Sequence, residues 1–298
     1  MNLVSPRSVL QEVSVAVPPE CRKNIIVVGS LAAGYLLFKD SASLSVRTKD
    51  IDCVLSPRIE AVKSGVAITE KLLAKGWKPR AEGRHSKPGN ASTPDDDLPV
   101  VRLGPPNSKE WFIELLTVPE SEHDAGKRWT RLQTTSGHYG LPSFRFMSIN
   151  TFQPVKTEFD ICCARPEMMA LANLLEHPII RPDLIEGTQI KRSNKDLGRV
   201  LAIAALIPPE GTEAWPAAWE EALRDCYPGG WQLLAAQLGD GIRELLQKEN
   251  EFEQAYDTCV VGLLASLNVT TEQLRVAGQR LIQYAIEPLE KSSKHLLS

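Results

Sequence analysis

Residues 24–30 read NIIVVGS and residues 47–55 read RTKDIDCVL. The first is an unbroken apolar, largely β-branched run stopped by Gly29-Ser30, the pattern of a strand buried on both faces that then turns sharply. The second alternates carboxylate, apolar, carboxylate over Asp50-Ile51-Asp52. Residues i and i+2 of a strand point the same way, so Asp50 and Asp52 face one spot while Ile51 turns to the core. Two carboxylates side by side repel, and a divalent cation between them is the best compensation.

Outward from this stretch the first half alternates element types. Leu31–Phe38 is short and apolar and suits a buried helix starting straight after Gly29-Ser30. From Ile59 to Trp77 apolar residues recur at roughly helical spacing, with Gly76 as the stop. Residues 83–97, GRHSKPGNASTPDDD, read as a long exposed loop, and Asp95-Asp96-Asp97 within it as solvated charge rather than a metal site. Leu98–Leu103 and Trp111–Val118 read as an antiparallel hairpin. Residues 120–145 have little periodicity and read as a flap or surface excursion. Phe144–Ile149 and Glu158–Cys163 read as further strands.

From Pro166-Glu167 the texture is helical, since Pro fits a first turn and an acid suits the N-terminal dipole. Helices are expected at 194–206, 214–226, 231–249, 251–266 and 271–289, the last capped by Thr270 and Gln273. The expected division is a mixed core over residues 1–160 and a helical C-terminal domain over 161–298. The fold class is α/β, or α+β, with a small mixed sheet.

Composition sets ordinary bounds. The 298 residues are 43% hydrophobic and 24% charged, as in globular proteins. A net charge of −3 gives no global attraction to polyanions, so such a partner must meet a local patch. Lys127-Arg128-Trp129-Thr130-Arg131 is one candidate for an RNA backbone, an ordinary exposed segment being the alternative. No apolar run approaches the ~20 residues of a membrane span, and MNLVSPRSVLQEV lacks a signal pattern, so the expectation is a cytoplasmic protein without membrane contact. The 6 cysteines form no CxxC pair and read as small buried hydrophobes. His85, His123 and His138 show no metal spacing.

Nucleotidyl transfer needs three things that this chain offers. Gly29 and Ser30 at a helix N-terminus give backbone N–H groups and a hydroxyl to a triphosphate. Asp50 and Asp52 suit two Mg²⁺ ions clamping the attacking and leaving oxygens. Glu114, the sole charge in the apolar strand Trp111-Phe-Ile-Glu-Leu-Leu-Thr117, is the third carboxylate, costly there unless paired or metal-bound. Arg47 and Thr48 orient the aspartates or the nucleotide, or form a plain surface turn.

Gly29-Ser30, Arg47-Thr48-x-Asp50-x-Asp52, a strand acid at Glu114 and a helical second half together resemble the DNA polymerase β-type nucleotidyltransferase superfamily. Within it the likeness is greatest to the AbiEii/MenT-like toxins of type IV toxin–antitoxin systems. It spans about the first 120 residues by motif and continues through Pro166-Glu167 and the helix carrying Lys195-Asp196. It implies a polymerase β-type core with Gly29, Ser30, Asp50, Asp52 and Glu114 as the site, and Lys195 and Asp196 supporting the nucleotide. It also implies an NTP donor, Mg²⁺ with Mn²⁺ as a substitute, an RNA acceptor such as the 3′ end of tRNA, and a cognate antitoxin protein.

The chain departs from that pattern at one position. Many relatives carry a lysine about two turns into the Pro-Glu helix, where this chain has Asn173. An amide does not neutralise a phosphate, so Lys195, Arg181 or Arg192 takes the task, triphosphate affinity is weak, or the donor differs. Two other readings stay open: the same chemistry on a protein or small-molecule acceptor, and a silent descendant that binds nucleotide or a partner.

Overall fold

The structure, a computed structural model, describes residues 3–38, 41, 44–80, 87–122, 128–180, 183–185 and 187–297. His85, His123, Lys127, Arg181 and residues 83–86 of the expected loop lie outside the described residues. The chain is mixed α/β and divides into two compact units, Met1–Tyr35 with Arg47–Ala164, and Leu36–Val46 with Arg165–Ser298.

The elements of the first half are, in order, β1 (Leu3–Val4), α1 (Pro6–Ala16), β2 (Ile25–Val28), α2 (Gly29–Phe38) and β3 (Val46–Arg47). Next come β4 (Asp50–Leu55), α3 (Arg58–Ala74), β5 (Lys78–Pro79), β6 (Arg102–Gly104) and β7 (Phe112–Thr117). The half closes with β8 (Arg128–Thr134), β9 (Gly137–Ser143), α4 (Met147–Asn150), β10 (Val155–Lys156) and β11 (Cys162–Cys163).

Seven of these strands form one mixed sheet in the order β10-β11-β2-β4-β7-β6-β5. The pairs β11/β2 and β4/β7 are parallel and the others antiparallel. Every residue of β2 is buried, which explains its apolar composition. In β4 and β7 the alternate set Ile51, Cys53, Leu55, Ile113 and Leu115 is almost fully buried. Helix α3 packs on β4, β6 and β7, and ends where Gly76 takes a φ of +82° that L residues resist.

Residues 120–145 differ from the sequence reading. Strands β8 and β9 form a regular antiparallel hairpin closed by Thr135 and Ser136 between the paired Thr134 and Gly137. Its buried side, Leu132 and Leu141, lies over Gly65 of α3, where a Cβ would stand 2.9 Å from Leu132 Cδ1. Periodicity missed it because the outer side is polar and the inner contact is tertiary. Phe144–Ile149, read as a strand, instead turns through the short helix α4, since so brief an apolar run carries no period of its own.

The second unit contains α5 (Pro166–Ile180), α6 (Arg192–Leu206), α7 (Pro209–Glu213), α8 (Trp215–Cys226) and α9 (Trp231–Ala236). It continues with α10 (Asp240–Gln247), α11 (Glu249–Val260), α12 (Thr271–Leu281), a π-helical turn (Ile282–Ile286) and α13 (Glu287–Leu297). Helix α6 is central, packing on α5, α11 and α12. The Thr270/Gln273 capping box is present. The helix expected over 231–249 is broken: Gly239 separates α9 from α10 and donates its N–H to the buried Glu290 carboxylate, which also takes Arg243 at 2.7 Å. Among the described residues no helix is long and apolar enough to cross a membrane.

Candidate functional site

Strand register assembles the site. Val28 pairs with Asp52, Asp52 with Glu114, and Glu114 with Arg102, a single row across β2, β4, β7 and β6. Cross-strand partners project to the same face. Asp52, Glu114 and Arg102 therefore share a face, and Asp50, two residues along β4, joins it beside Phe112. The acids lie where β4 begins and β2 ends. Deeper on the same face Val54 and Leu116 are buried, so polar character is confined to the rim.

Gly29 sits at that rim with φ +79°, at the point where β2 gives way to α2. A Cβ placed on it would stand 3.3 Å from Asp52 Oδ2. The glycine thus permits both the turn and the close approach of the carboxylate to the helix N-terminus, whose partial positive charge favours an anion. Ser30 follows, half-buried, in the first turn.

Asp50 is exposed and accepts a hydrogen bond from Thr48 Oγ1 at 2.9 Å on Oδ1, with its backbone carbonyl 3.1 Å from the same hydroxyl. Thr48 is thereby an orienter of Asp50. Arg47 is half-buried on β3, and its Nε has no hydrogen-bond partner among the described residues. Glu114 is engaged by Arg102, Nε to Oε2 at 2.5 Å, and the guanidinium lies 6.0 Å from the Phe112 ring centroid.

Three carboxylate side chains on one face are the oxygen donors that Mg²⁺ or Mn²⁺ takes, so the residues suit a divalent cation in kind. Among the described residues no three acidic, His or Cys groups already close on one point. In the second unit, exposed Arg192 and Lys195 lie in the first turn of α6 and half-buried Asp196 follows them; half-buried Asn173 is on α5.

The basic-aromatic stretch has a different occupation. Arg131 Nε donates to Asp95 Oδ1 at 2.8 Å, Nη1 to Asn90 O at 3.1 Å, and Nη2 to Thr93 O. Its Nη1 also lies 3.0 Å from His138 Nδ1, which must be the acceptor because a guanidinium only donates. Arg131 pins the 90–95 segment to the hairpin, and Asp95, read as merely solvated, is its ion-pair partner.

Arg102 is the site residue that the sequence reading missed. The expected pairing of 98–103 with 111–118 contained the signal, but only the register puts Arg102 opposite Glu114. No protein-family model, curated protein or solved structure matches the chain. The chain is a mixed α/β protein with a seven-stranded mixed sheet and a carboxylate-bearing rim.

Proposed function

We propose that the chain is a metal-dependent nucleotidyltransferase of the polymerase β type, moving an NMP from an NTP to an acceptor hydroxyl. The observation that carries this reading is the row that sets Asp52 beside Glu114, with Asp50 on the same face and Gly29 opening α2 against Asp52. The AbiEii/MenT-like resemblance supplies the rest of the proposal. The acceptor is RNA, such as a tRNA 3′ end, the protein partner is a cognate antitoxin, and the setting is the cytoplasm. In the same proposal residues 1–160 are the catalytic core and 161–298 the helical domain.

Asp50 and Asp52, joined by Glu114, would hold the cations. Bound Mg²⁺ supplies charge stabilisation of the attacked α-phosphate and of the departing pyrophosphate. The chain's own groups do the remainder. Thr48 holds Asp50 in one rotamer. Ser30 and the N–H groups opening α2 meet the β- and γ-phosphates, as helix N-termini do. Arg47 is a donor for the nucleotide in this reading; its buried Nε has no partner among the described residues. Oε2 of Glu114 is committed to Arg102, so Asp50, at the exposed start of β4, receives the acceptor's proton. The donors of Arg131 hold the 90–95 segment, so it adds nothing to the support for an RNA acceptor.

The test is incubation of the protein with each α-³²P-NTP, Mg²⁺ and total RNA, beside Asp50→Ala/Asp52→Ala. Label on RNA with wild type alone supports the reading and names the donor. Label on the protein itself moves the acceptor class, and label nowhere overturns transfer to RNA.

A further inference from the structure

We infer that Arg102 is the resident counter-ion of the carboxylate face, and that a divalent cation binds there in competition with it. The inference rests on reading that face as a cation site. Asp50, Asp52 and Glu114 are gathered on one side of neighbouring strands, where like charges repel. Glu114 is the least exposed of the pair it forms, with 13% of its side chain accessible against 35% for Arg102. A carboxylate so far withdrawn from water needs a partner, and the β6–β7 register delivers Arg102 opposite it. Phe112 steadies the guanidinium from the next row, beside Asp50.

Arg102 therefore does two opposed things. It stabilises the face while no cation is bound, by neutralising one of its three negative charges. It also weakens cation binding, by occupying Glu114 Oε2 and by placing a positive charge beside the other two carboxylates. A residue with a purely architectural role would do only the first.

Binding of Mn²⁺ alone, followed by the loss of the free-ion electron paramagnetic resonance signal, separates these roles in the full chain. Arg102→Gln is expected to bind Mn²⁺ about tenfold more tightly than wild type, the scale of one unit charge removed at short range in a partly solvated site. Arg102→Met retains the stem over Phe112 and serves equally if the glutamine variant does not fold. Arg102→Lys keeps the charge and is expected within about twofold of wild type. Unchanged or weaker Mn²⁺ binding in the uncharged variants overturns the inference alone, so long as Asp50→Ala/Asp52→Ala abolishes binding. Mn²⁺ that binds neither wild type nor variant overturns the cation reading with it.

Discussion

At Gly29 two demands meet in one residue: a φ of +79° and a carboxylate oxygen 3.3 Å from where a Cβ would stand. Gly29→Ala is expected to cost about 1–2 kcal/mol in urea unfolding, through the left-handed backbone and the pressure on Asp52. The same change should lower Mn²⁺ affinity; an alanine variant of wild-type stability and affinity would contradict the close approach. Thr48 makes a milder prediction. Thr48→Val removes the hydroxyl bonded to Asp50 without removing a charge, so it should lower transfer several-fold while unfolding stability changes by less than about 1 kcal/mol. A rate equal to wild type would show that Asp50 needs no orienter. The i, i+2 spacing of Asp50 and Asp52 already put them on one face, because strand period alone decides it. Arg102 was not legible in that way, since its place beside Glu114 comes from a pairing twelve residues apart in the chain.

Element by element, legibility followed how much of each pattern was local. Strand β2, the turn into α2, and α3 with its Gly76 stop were readable from burial pattern and punctuation. The β8–β9 hairpin was not, because its cohesion comes from α3 beneath it and from Arg131 reaching back to the 90–95 segment. Arg131→Ala is expected to raise amide hydrogen exchange at Gly89 and His138 about tenfold. These residues exchange both backbone hydrogen bonds at 2.8 and 2.9 Å, and the guanidinium's charge-assisted bonds lie next to them. Unaltered exchange there would remove Arg131 as the clamp. In the second unit, Gly239 shows how a long helical pattern breaks: its N–H is drawn to the buried Glu290, a partner 51 residues away.

For the whole molecule, the cysteines read as buried hydrophobes set a pH limit. Burial pushes the Cys226 and Cys259 thiols up to about 12, and raises Cys53 and Cys163 strongly as well. Above the ordinary thiol value of 9.0 the unfolded chain releases protons that the folded chain retains. Stability from these groups is therefore constant below that value and falls as pH rises above it, by up to about 1.4 kcal/mol per pH unit per thiol. Urea midpoints measured from pH 8 to 10.5 should decline, and less steeply in Cys259→Ala, which lacks the buried thiol that donates to Gly198 O in the wild-type chain. Equal slopes in the two proteins would contradict it. Chemistry at the rim of the sheet is read by paired labels. Wild type and Asp50→Ala/Asp52→Ala are given Mg²⁺, RNA and the same NTP labelled at the α- or the γ-phosphate. Wild type is expected to fix the α-label on the acceptor and to free the γ-label as pyrophosphate, and the variant to do neither. Transfer of the γ-label, or equal α-transfer by the variant, would contradict it.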